Sequence, residues 1–205
     1  DGWALLFHPD FLHGTSLEKE IRSFSFFDYN VNEALHTSSE EFEILASFMR
    51  RIKQELEGNR DGMQDAIIVD YISLLLNYCK RFYERQFLTR KIANADTLQR
   101  FHAVLEAYYT QENPFQSGLP TVAYCADQLC MSAGYLGDLV RRHTGDTAIN
   151  YIHRFILQKA KSLLSAGKTI TEVAYDLGFA YPQHLSRLFK KKEGLSPSEY
   201  VNGIR

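Results

Sequence analysis

The chain lacks most of what secretion, membrane insertion or catalysis would require. Its 205 residues hold three cysteines, Cys79, Cys125 and Cys130, with five prolines and one tryptophan. Three is an odd number and no CxxC pair occurs. That argues against a disulfide framework or a paired-thiol metal site, and a reduced, cytoplasmic compartment is expected. No apolar run approaches the ~20 residues needed to cross a bilayer, and no signal peptide opens the chain, so no membrane partner is expected. The seven histidines contain no HExxH pair, and neither a nucleophile elbow nor a phosphate loop occurs. An enzyme, a bound metal and a cofactor are therefore not expected. Because the chain opens on Asp1-Gly2, a processed or truncated product is expected.

What is present is unevenly charged and repetitive. The formal net charge of −2 conceals 12 Lys/Arg against 9 Asp/Glu in residues 97–205, a net of +3. Residues 1–96 carry 11 against 16, a net of −5. A mildly basic second half suits nucleic acid, although +3 alone is a weak argument. Repetition is the stronger signal. One pattern is written twice between residues 121 and 201. The first copy has Ala126-Asp127-Gln128-Leu129, Leu136, Leu139-Val140-Arg141-Arg142, Gly145 and Tyr151-Ile152. The second has Ala174-Tyr175-Asp176-Leu177, Leu185, Leu188-Phe189-Lys190-Lys191, Gly194 and Tyr200-Val201. The offset is 48 before the turn and 49 after it, so the second turn has one extra residue. Each copy spells a short helix, a tight turn and a second helix ending in paired basic residues and a glycine. That is a tandem helix-turn-helix.

The first 96 residues read less clearly. Residues 3–7 and 23–27 are apolar enough for two short strands, the remnant of a larger β-rich domain, with a short helix from Thr15-Ser16 to Arg22 between them. Ser38-Ser39-Glu40-Glu41 signals a helix start, a hydroxyl cap followed by acids in the first turn, and Gly58-Asn59 ends that helix. A second helix over about 63–86 is apolar around most of its circumference and must bury two faces. Ile67, Tyr71, Leu74, Leu75 and Tyr78 are assigned to a homodimer interface, with burial inside the chain as the equal alternative.

In the tandem region Thr97 is expected to cap a helix through Tyr109, followed by a loop over 113–120. Thr121 and Ser132 cap the first unit, and a long helix of ~20 residues, about 30 Å, joins the units. That length is close to the ~34 Å between successive major-groove faces on one side of a duplex. Thr169 and Glu172 form a capping box for the second unit. Pro182 opens its second helix, where a missing N–H costs nothing. The outward faces then supply the candidate site. Gln183, Ser186 and Arg187, with Pro182, can read base edges, since Gln pairs bidentately with adenine and Arg with guanine. The first unit offers Gly134, Gly137 and Asp138 instead. Arg141, Arg142, Lys190, Lys191 and Lys192 suit phosphate oxygens. The second unit is expected to supply most base readout. Cys125 and Cys130 read as small packed residues rather than a site, and His184 as either a DNA contact or simple exposure.

On the runs Ile170-Thr171-Glu172-Val173-Ala174, Leu177-Gly178-Phe179, Leu185-Ser186-Arg187-Leu188-Phe189-Lys190-Lys191 and Gly194-Leu195-Ser196-Pro197-Ser198-Glu199-Tyr200, the chain resembles the AraC/XylS family of bacterial transcription regulators. The resemblance implies a mainly α fold, a seven-helix domain over 97–205 whose two second helices lie in successive major grooves of double-stranded DNA. It also implies a dimerising helix pair over 38–90 and, over 1–37, the tail of a cupin-like sensor. Further partners implied are RNA polymerase and a small-molecule effector, the effector's pocket lying mostly in a missing N-terminal part. The rival reading is a sensory, cupin-type domain whose helical tail makes only protein contacts.

Overall fold

The computed structural model describes residues 2–89, 91–112 and 114–204, excepting the side chains of 91–95 and 204. Asp1, Arg90, Asn113 and Arg205 lie outside them, Arg90 at the end of the anticipated helix pair and Asn113 at the start of the anticipated loop. The chain divides into two compact units, Asp1–Lys91 and Ile92–Arg205.

The first unit is a helical hairpin with an irregular cap. A 3-10 turn, Pro9–Leu12, leads to α1 (Ser16–Glu20), and three further 3-10 turns precede α2 (Ser39–Glu57) and α3 (Gln64–Thr89). The two expected strands are not formed, and there is no strand among the described residues: residues 3–7 are irregular and Ser25–Asp28 is a 3-10 turn. A strand needs a partner ladder for its backbone groups, which two isolated five-residue runs cannot provide. Their apolar side chains serve instead as a lid on the hairpin. Leu12, Leu17 and Phe24 join Ile52, Ile68, Val69, Ile72 and Leu76 in one buried cluster. Phe26 stacks on Tyr83 at 5.4 Å between centroids. The first short helix is α-helical from Ser16 to Glu20 and continues as a 3-10 turn over Ile21–Ser23; Thr15 does not cap it, its hydroxyl donating instead to the Leu12 carbonyl at 2.7 Å.

The hairpin itself follows the sequence signals. The Glu41 N–H donates to Ser38 Oγ at 3.2 Å, and the Ser38 N–H donates to Glu41 Oε2 at 2.9 Å, a complete capping box. Arg85 of α3 then grips the same carboxylate at 2.8 Å, tying the two helices together. The Ser38 N–H and then Arg85 hold the Glu41 carboxyl below its ordinary pKa. On α3, Ile68, Ile72 and Leu76 are buried, Ile67, Tyr71, Leu75 and Tyr78 half-buried, and Leu74 exposed. Tyr78 spends part of its surface on Phe48 of α2, 5.4 Å away.

The second unit is a bundle built on one core. It comprises α4 (Lys91–Gln111), α5 (Pro114–Ser117), α6 (Val122–Gln128), α7 (Ala133–Thr144), α8 (Ala148–Ser165), α9 (Ile170–Asp176), α10 (Pro182–Glu193) and α11 (Pro197–Ile204). Thr97 does not cap α4; it is buried inside the helix, which starts six residues earlier because residues 91–96 contain no breaker. Thr121, Ser132, Thr147 and Thr169 each accept the N3 backbone N–H of the helix they open. Phe101 and Leu105 of α4, Ala126 of α6, Leu136 and Val140 of α7, Ile152, Ile156 and Ala160 of α8, Ala174 of α9, and Leu185 and Phe189 of α10 form a single cluster. Ala126 and Ala174 occupy equivalent places in the two repeats, where small side chains let the paired helices approach.

Candidate nucleic-acid interface

Both repeats make the same chain reversal, and they solve the turn differently. Residues 48 apart occupy its tightest point: Gly178 at φ +88° in the second unit and Cys130 at φ +56° in the first. Cys130 is the one non-glycine residue with positive φ among the described residues. The left-handed region costs a residue with a Cβ roughly 1 kcal/mol or more. Gly178 is required for a second reason. A Cβ there would lie 2.2 Å from the Gly118 carbonyl oxygen and 2.8 Å from that of Pro114.

Beyond the turns, α7 and α10 present equivalent faces. Leu136, Leu139 and Val140 of α7 and Leu185 and Phe189 of α10 are buried, so the opposite residues face water. On α10 Gln183, His184 and Arg187 are exposed, with Pro182 and Ser186 half-buried. Ser186 spends its hydroxyl on its own helix, donating to the Pro182 carbonyl at 3.2 Å. That leaves Gln183 and Arg187 as the outward polar pair, four residues apart on one face. On α7 Gly134, Gly137 and Asp138 are all half-buried, so the first unit offers a flatter surface.

Cations close each helix. Arg141 and Arg142 sit in the last turn of α7, and Lys190, Lys191 and Lys192 in that of α10, all exposed. There they complement the negative helix end. Lys192 differs from its neighbours: its Nζ donates to Asn150 Oδ1 of α8 at 2.8 Å. Glu193 meets Lys161 of α8 at 2.5 Å. The end of α10 is thus fastened to α8 at two points eleven residues apart. Tyr181 was not picked out by sequence reasoning. It stands at the N-cap of α10, 61% exposed, with its ring edge-on to His184 at 5.5 Å. An aromatic where a capping hydroxyl would be usual was the available signal.

The thiols have no such setting. Burial pushes Cys125 up to about 12 and Cys79 to about 11, far from thiolate, and all three cysteines are free. No set of three His, Cys, Asp or Glu side chains among the described residues is placed to hold a metal. No helix among them is long and apolar enough to cross a membrane.

This geometry defines a tandem helix-turn-helix domain. Residues 125–203 match the family model described as a helix-turn-helix domain. The HTH-type transcriptional activators RhaS of Salmonella heidelberg (strain SL476) and of Salmonella typhimurium (strain LT2) are each 29% identical to this chain over 157 residues. The alignment covers 76% of this chain and 54% of theirs, so the chain spans about half the length of these curated relatives. The residues matched by that model take in both turns and both basic helix ends described above.

Proposed function

We propose that the chain is a sequence-specific, double-stranded-DNA-binding transcription regulator that places α7 and α10 in successive major grooves. The observation that carries this is the paired exposure of two second helices on one core, joined by the 18 residues of α8. At 1.5 Å per residue α8 spans about 27 Å, of the order of one turn of duplex. Unequal faces give unequal roles. Gln183 and Arg187 of α10 take most of the base readout, and α7 mainly positions the protein through Arg141 and Arg142. Lys190 and Lys191 contact phosphates, whereas Lys192 must first leave Asn150.

We also assign the face of α3 bearing Ile67, Tyr71, Leu74, Leu75 and Tyr78 to a homodimer contact, supported by its incomplete burial. The test of DNA recognition is selection from random duplexes, then titration of the enriched site at two salt concentrations. Four to five neutralised phosphates give a slope of about −4 in log K against log salt. A pool that enriches no sequence would overturn the base-reading assignment.

A further inference from the structure

The connector between α4 and α6 belongs by sequence to the first helix-turn-helix, yet it docks on the turn of the second. Its Gly118 backbone crosses Gly178 so closely that no side chain fits between them. The crossing is held from both sides by adjacent tyrosines at the end of α4. Tyr108 Oη donates to the Gly118 carbonyl at 2.9 Å, on the connector. Tyr109 Oη donates to the Leu177 carbonyl at 3.3 Å, on the turn next to Gly178. The connector is closed on itself by Gly118 N–H to the Pro114 carbonyl at 2.8 Å, and Phe115 rests edge-on against Tyr175 of α9. The first turn has a different environment: Cys130, at the position matching Gly178, is exposed.

We infer that the 114–118 strap, gripped by Tyr108 and Tyr109, is the positioning element that fixes the separation of the two DNA-reading heads. This rests on the tandem-reading proposal above. The two heads share one core, but α8 is the only helix that runs from one into the other, and a core of apolar side chains has no directional bond to fix the angle between them. The strap adds a second attachment at the turn, on an element that leads into the first head. Two attachments fix an angle that one does not. Packing alone would be served equally by phenylalanine at both positions, so the two hydroxyls separate positioning from bulk.

The experiment uses the whole chain carrying Tyr108→Phe and Tyr109→Phe. Spin labels are placed on native Cys130 of the first head and on Thr171→Cys of the second, with Cys79→Ala removing the half-buried thiol. Pulsed dipolar spectroscopy without DNA then gives the distance distribution between heads, and random-duplex selection gives the spacing of the two sequence blocks. The expected result is one narrow distance for the tyrosine chain and a broader, shifted distribution for the double variant. The variant should also enrich spacings about one base pair longer and shorter. Unchanged label distances overturn the inference, even if thermal stability falls, because the strap would then be structural only. Broadened distances with an unchanged spacing also overturn it. If the tyrosine chain selects no sequence, the DNA-reading proposal fails, and the label distances still decide whether the strap fixes the heads.

Discussion

Replacing Gly178 with Ala tests the strap and the turn together, and its cost can be worked from the structure. Two penalties add. At φ +88° the new Cβ enters the left-handed region, which costs about 1–2 kcal/mol. It would also lie 2.2, 2.6 and 2.8 Å from backbone atoms of Gly118 and Pro114. Ordinary contact needs the strap to retreat by roughly an ångström. Overpacking of this kind costs about 1–3 kcal/mol, and the Tyr108 bond to Gly118 would be stretched. The expected total is about 2–5 kcal/mol, or a fall in Tm of roughly 10–25 °C for a unit of this size. Calorimetry of the whole chain, following the transition of the second unit, measures it. The matched control is Cys130→Gly, which removes Cβ strain at φ +56° in an open turn while loosening the unfolded chain, and so should change stability by less than about 1 kcal/mol. Equal effects of the two substitutions, or a loss below about 1 kcal/mol for Gly178→Ala, would mean that the strap does not crowd Gly178.

Further outcomes follow from the interface and the caps. Arg187→Ala should weaken binding to the selected site by about 1–3 kcal/mol and relax preference at one base pair, read by competition between single-base variants of that site. Lys190→Ala should weaken all sequences alike and reduce the salt slope by about 0.9. Thr169→Ala removes the α9 cap and should cost about 1 kcal/mol in urea unfolding. The Glu172 carboxyl is held below its ordinary pKa first by the Thr169 hydroxyl and backbone N–H. Its contribution is therefore present above the unfolded value and lost as pH falls through the folded one. Glu172→Gln should flatten that part of the acid limb of a stability-against-pH curve.

Local chemistry was the most legible part of the sequence. Ser38 with Glu41, Thr121, Ser132 and Thr169 with Glu172 fixed helix starts, because a cap is a contact between residues three apart. The repeat revealed both turns and both outward faces, because the buried Leu136 and Leu185 dictate what lies opposite. Thr97 shows the limit: a residue able to cap does so only if the preceding segment stops being helical, and residues 91–96 do not. Residues 3–7 and 23–27 show another, since a five-residue apolar run has no periodicity to separate a strand from a lid. The strap was invisible for a different reason. Its contacts join Gly118 to Gly178 and Tyr109 to Leu177, some sixty residues apart, and nothing local marks such a pairing. The bonds of Ser186 to Pro182 and of Lys192 to Asn150 depend on rotamers that spacing does not specify.

Tandem reading as proposed requires α7 and α10 to occupy successive major grooves on one face of a duplex. Hydroxyl-radical and major-groove methylation footprinting of the chain on its selected site tests it most directly. Two protected tracts centred about 10–10.5 base pairs apart are expected, with Arg187→Ala erasing base protection in one tract only. A single tract, or two tracts on opposite faces of the duplex, would contradict it.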